Sequence, residues 1–143
     1  MTLTQHVALT AVAVAPLSPF LEIEGMVLFA VGSILIDVDH YLFYVARTGR
    51  YDIPGMFRYF AALQPVQRSI PYVGLCLFHT ADFFLLVGIL AYWYPALLPL
   101  LAGMLFHFIM DVIDLRRKGV PFIRAYFLVE HFMRRRSEGY PYY

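Results

Sequence analysis

The stretch IDVDHYLFY, residues 36–44, sets Asp37, Asp39 and His40 inside a run that otherwise reads as a lipid-soluble helix. An ionisable group at the middle of a membrane span costs roughly 2.5 to 3.5 kcal/mol on insertion scales, so several without compensation would cost about 10 kcal/mol. Such residues need a partner or a task. The surroundings support a membrane reading. Apolar residues are 61% of the 143, mean hydropathy is +0.66, and charged residues are only 15%, against about 25% in an ordinary soluble domain.

Four apolar segments lie at about residues 3–20, 25–46, 71–93 and 95–115, each near the roughly 20 residues that cross a bilayer core. The turn PLSPFLEIEG joins the first two, and WYPALLP joins the last two. Proline suits the first turn of a new helix, and Trp and Tyr suit the headgroup level. The expected fold is therefore all-α: a single transmembrane domain over 1–143, an up-down four-helix bundle made of two helical hairpins. Segments 54–63 and 122–136 read as short interfacial helices, because each mixes aromatics with Arg on a partly amphipathic pattern. The N-terminal segment lacks a basic n-region, so it reads as a retained first helix rather than a signal peptide.

Charge sets the direction. The Lys and Arg residues are 47, 50, 58, 68, 116, 117, 118, 124, 134, 135 and 136, all after an even-numbered span, while Glu22 and Glu24 mark the other side. The positive-inside rule then places both termini and the 47–70 loop in the cytoplasm, with the chain a multi-pass protein of the plasma (inner) membrane.

In that topology the polar residues within the spans gather in depth. His6, Asp37, Asp39, His40, His79, His107 and Asp111 all fall in the cytoplasmic half, most of them on the order of 10 Å below the surface at 1.5 Å per residue. His107 with Asp111 (i,i+4) and Asp37 with His40 (i,i+3) each share a helix face. Asp39 would point elsewhere in a regular helix; it joins the others only if the helix unwinds, or it acts as the acceptor that orients a ligating His. Asp82 and Asp114 lie at the margins. A purely structural hydrogen-bond network is the competing reading. The single cysteine, Cys76, excludes an internal disulfide and a Cys-based zinc cluster, so the expected donors are nitrogen and oxygen. That set suits Zn, Mn, Fe or Co, as one or two divalent ions.

The order QHVAL, IDVDHYLF, LFHTADFF and LFHFIMDVID resembles the YdjM-like family of small membrane-bound metal-dependent hydrolases: a His in the first span, D-x-D-H in the second, a His in the third, H-x-x-x-D in the fourth. The resemblance covers about residues 3–119. It implies His6, Asp37, Asp39, His40, His79, His107 and Asp111 as the metal site and ester hydrolysis as the activity. Two departures matter. Ile36 stands where the family commonly has a helix-breaking proline, and GLCLFHT keeps only the last His of H-R-G-x-T-H-S, with Gly74 at the place of the first. Either Asp82 substitutes, or the site is mononuclear, or the fold is kept without turnover.

The expectation is a metal-dependent hydrolase at the cytoplasmic leaflet, acting on a phosphoester or other ester of a lipid-like substrate. Asp39 or Asp111 would be the general base, and Arg47, Arg50 and Arg68 would attract an anionic headgroup. Expected partners are that substrate, the membrane, and another copy of the chain or a membrane-complex subunit, with no nucleic acid. The alternatives are a non-catalytic accessory subunit and, less well supported because of the aspartates, a haem b protein.

Overall fold

The structure, a computed structural model, describes residues 2–137. The two chain ends, whose cytoplasmic placement the charge pattern predicts, and the side chain of Arg136 lie outside the described residues. The described residues are helical with no strand, and they form two compact units: Met1–Ile36 with Asp82–Asp114, and Asp37–Ala81 with Leu115–Tyr143.

The first unit is built from helices α1 (Leu3–Leu17), α2 (Ile23–Leu35), α5 (Ala81–Trp93) and most of α6 (Leu98–Arg117). Thr2 and Gln5 start α1 with a capping box: the Thr2 hydroxyl accepts from the Gln5 amide, and the Gln5 side chain accepts from the Thr2 amide, which satisfies two otherwise orphaned donors. Helices α2 and α6 cross almost backbone to backbone. A Cβ at Gly32 would strike the carbonyl oxygen of Leu100, and one at Gly103 would strike that of Phe29. Only glycine permits this approach, a small-residue contact of the kind that packs helices in lipid. The crossing also fixes the depth at which His107, one turn beyond Gly103, meets α2.

Two helices are long and apolar enough to cross a membrane. One is the Ile23–Thr48 segment, in which α2 continues through a brief break into α3 (Val38–Thr48); the other is Pro95–Arg117. The α1 and α5 helices are apolar but shorter, roughly 20 to 23 Å long at 1.5 Å per residue.

The second unit holds α3, α4 (Ile53–Leu63) and α7 (Leu128–Ser137), with tight 3-10 turns at Gln64–Ser69 and Leu77–His79. Two expectations fail here. The helix expected from residue 71 begins at Ala81, and the one expected from 122 begins at Leu128. The reason is long-range pairing that hydropathy does not encode. Gly74 bridges Arg124, and the amides of Val73, Ala125 and Ala81 donate to the carbonyls of Ile123, Gly74 and Tyr126. Gly74 has φ +150, and a Cβ there would press on the Phe43 ring. These backbone groups are satisfied by one another instead of by helices.

Arg134 fastens α7 to this pairing. Its guanidinium donates to the Phe122 and Pro71 carbonyls, each at 2.7 Å, and lies 4.2 Å from the centre of the Tyr72 ring. Beside it the Tyr72 hydroxyl donates to His131 Nδ1 at 2.5 Å. Burial first, and the Arg135 charge second, push the His131 pKa below its ordinary value, so the ring is neutral and able to accept. Lysine cannot reproduce a planar fork that reaches two carbonyls. Arg134→Lys is expected to cost about 1–3 kcal/mol, read as a lower melting temperature of the detergent-purified protein.

Candidate functional site

Between α2 and α3 the helix breaks where the sequence has no proline. α2 ends at Leu35, α3 starts at Val38, and Ile36 and Asp37 form a turn between them. The break lets both aspartates face the same imidazoles. His40 Nδ1 lies 3.1 Å from Asp37 Oδ1 and 3.1 Å from Asp39 Oδ1. His79, fully buried in its 3-10 turn, places Nδ1 at 2.9 Å from Asp39 Oδ2 and Nε2 at 3.7 Å from Asp37 Oδ1.

These distances assign roles. Asp39 Oδ2 accepts from the His79 ring nitrogen and from the Phe78 amide, so Nδ1 of His79 carries a proton and Nε2 is turned toward Asp37. A carboxylate that orients a ligating imidazole is a common metal-site arrangement. Asp39 Oδ1 and His40 Nδ1 are buried yet form no hydrogen bond, in spite of their closeness. The spacing of these two atoms suits a shared cation, since ligand atoms about 2.1 Å from one ion lie roughly 3.0–3.5 Å apart.

Cys76 adds a donor that the sequence reading excluded. Asp39, His40 and Cys76 each offer a ligand atom, all within 4.8 Å of one another. A lone cysteine cannot form a Cys-rich cluster, but it can supply one thiolate to a mixed set, and only the fold of residues 71–80 reveals it.

The first unit gathers His6, His107 and Asp111. His6 Nε2 is 3.2 Å from Asp111 Oδ1, and the His6 and His107 rings stack with centroids 3.8 Å apart. His107 Nδ1 donates to the Ser33 carbonyl at 2.6 Å, and its Nε2 lies 3.9 Å from Asp111 Oδ2. Ser33 is held in turn by Thr10, hydroxyl to hydroxyl at 2.6 Å, while the Thr10 hydroxyl also lies 2.7 Å from the His6 carbonyl. Ser33 and Thr10 were missed from sequence. A main-chain carbonyl has no side-chain signature, although small polar residues at buried helix positions are a usable signal. All three site residues and Thr10 are nearly fully buried.

The structure thus brings Asp37, Asp39, His40 and His79 together in one unit and His6, His107 and Asp111 in the other. Asp37, His79, His107 and Asp111 each offer a ligand atom of the kind that could hold a metal ion. Asp82 is exposed in the first turn of α5, and Asp114 is half-buried near the end of α6. Of the arginines expected to meet substrate, Arg68 donates to the Lys118 carbonyl at 3.1 Å, Arg47 lies near the Tyr59 hydroxyl, and Arg50 is exposed on the rim of a cleft. Comparison with protein-family models, with curated proteins and with solved structures gives no match to this chain.

Proposed function

We propose that the protein is a membrane-embedded, metal-dependent hydrolase of the YdjM-like kind, acting at the cytoplasmic leaflet on a phosphoester or other ester of a lipid-like substrate. The observation that carries the reading is the pairing of buried imidazoles with carboxylates in both units: Asp39 and the Ser33 carbonyl accept from Nδ1 of His79 and of His107, and Nε2 of each is turned toward an aspartate, at 3.7 and 3.9 Å. A hydrogen bond that fixes one ring nitrogen is how proteins orient an imidazole to ligate through the other.

The membrane part of the proposal is supported by exposure. Only 28% and 22% of the apolar windows in Ile23–Thr48 and Pro95–Arg117 are buried within the chain. A soluble core helix would hide most of that surface, and apolar faces of this extent need lipid or a partner. α1 and α5 would complete the four passes. The irregular backbone of residues 71–80 fits this setting, since non-helical chain at membrane depth is tolerated only where protein buries it, and Tyr72, Gly74, His79 and Thr80 are all buried.

Each unit would hold about one ion, through Asp37, Asp39, His40 and His79, with Cys76 in reach, and through His6, His107 and Asp111. A divalent ion bound there supplies Lewis acidity and a water of lowered pKa. The chain does the rest. Asp39 has one oxygen committed to His79 and Phe78, so it is the positioning residue; Asp111 is left to take the proton of the attacking water as general base. The surrounding apolar helices exclude bulk water, and the arginines of the second unit draw the anionic substrate.

Elemental analysis of the detergent-purified protein tests this directly. The native chain is expected to carry about one to two ions, His40→Ala and Asp111→Ala each to lose metal, and both variants to lose hydrolysis of phosphoester and carboxylester lipids. Full metal content in both variants defeats the reading.

A further inference from the structure

Outside the imidazole groups, the second unit has a cleft of about 560 Å³ lined by Tyr44, Thr48, Arg50, Gly55, Arg58 and Tyr59. Its walls are fixed by the turn from α3 to α4. Gly49 ends α3 in the left-handed conformation at φ +67, the Thr48 hydroxyl donates to the Tyr44 carbonyl at 2.8 Å and accepts from the Arg50 amide at 3.2 Å, and the Tyr41 hydroxyl donates to the Tyr51 carbonyl at 3.0 Å. The floor is the buried Tyr44, whose hydroxyl donates to Asp52 Oδ1 at 3.0 Å. Gly55 keeps the space open, because a Cβ there would run into the Asp52 carboxylate and the Tyr44 hydroxyl.

We propose that this cleft binds a phosphate group, held between the guanidinium groups of Arg50 and Arg58. Guanidinium forks match phosphate oxygens in geometry and charge. The acid beside the cleft, Asp52, faces Arg58 at 3.7 Å. It stays ionised, since the Tyr44 hydrogen bond holds its carboxyl below the ordinary range. Asp52 therefore offsets one of the two positive charges and leaves the cleft net positive. Tyr51 and Phe57, the chain neighbours of Arg50 and Arg58, are exposed, as is Ile53. Aromatic and aliphatic groups flanking cationic heads are the chemistry of the headgroup layer, so the phosphate source is an anionic phospholipid. The site rests on the membrane part of the proposed function, and the binding it predicts requires no metal and no turnover.

Binding of phosphatidylglycerol, of phosphatidylcholine and of inorganic phosphate to the full chain in detergent tests it, by native mass spectrometry for the lipids and calorimetry for the ion. The wild type is expected to retain phosphatidylglycerol over phosphatidylcholine. Arg50→Gln with Arg58→Gln should weaken retention at least about tenfold, the scale of one lost charge-assisted contact. Asp52→Asn should tighten it a few-fold by removing the competing charge. Inorganic phosphate bound with the same dependence on the two arginines supports the site with a free-ion source. No binding of either probe to the wild type, or equal binding by the double variant, overturns it. Metal content of the double variant should match the wild type, which keeps this result separate from the fate of the metal reading.

Discussion

Gly103→Val is expected to melt well below the native protein and to lose the metal of the first unit, although valine is an ordinary residue in an apolar helix. The added side chain has to occupy the place where the Phe29 carbonyl oxygen and carbon and the Ser33 amide already sit. Backbone atoms cannot rotate aside as a flexible side chain can, so the two helices must separate. Overpacking of this kind costs about 1–3 kcal/mol, and the upper end applies where no rotamer relieves the clash. Separation also lengthens the hydrogen bond from His107 Nδ1 to the Ser33 carbonyl, now 2.6 Å, and the tautomer is no longer fixed. Gly88→Val is the control. The nearest atom to a Cβ at Gly88 is a Leu101 methyl 4.0 Å away, so that variant should keep its melting temperature and its metal. Equal behaviour of the two variants would show that the α2–α6 crossing does not seat His107.

The local elements of the site were legible because they obey helical spacing. His107 and Asp111 at i,i+4, and Asp37 and His40 at i,i+3, face one another as the periodicity requires. The approximate limits of α1 and α6 were legible too, since proline or charge bounds each. What escaped was set by contacts distant in sequence. No local signal turns 71–80 away from helix; the pairing of Gly74 with Arg124 does so. Nor does composition predict a break at Ile36–Asp37, where neither proline nor glycine is present. The break is held from outside, by His79 and the Phe78 amide bonded to Asp39. The same fold of 71–80 brings Cys76 within reach of Asp39 and His40, a donor that counting cysteines alone discards. The grouping of the seven residues by unit was equally invisible, because hydropathy gives depth in a bilayer but not which helices pack. Gly32 and Gly103 could have been found, since small residues in apolar runs mark close helix crossings.

Asp39→Asn is the sharpest probe of the second unit, because the substitution keeps the shape of the side chain and changes only what its two terminal atoms offer. In the native chain Oδ2 receives two hydrogens, from His79 Nδ1 and the Phe78 amide, while Oδ1 lies 3.1 Å from His40 Nδ1. An asparagine has one oxygen to give. If the oxygen stays toward His79, the amide nitrogen replaces the ligand atom opposite His40. If the amide turns over, its hydrogens meet two other donors, and His79 loses the acceptor that orients its ring. Either orientation removes a function, and the negative charge is lost in both. Loss of an orienting partner typically lowers metal affinity about 10–100-fold, and that is the fall expected when the detergent-purified variant competes with a chelator. Circular dichroism should be unchanged, since a side chain of the same shape replaces Asp39 within the first turn of α3. Asp39→Glu restores the charge but moves both oxygens outward by a methylene, so it should recover part of the affinity without the native value. An Asp39→Asn protein that holds metal as tightly as the native chain would mean that Asp39 neither orients His79 nor ligates, and the assignment of the His79 tautomer would fall with it.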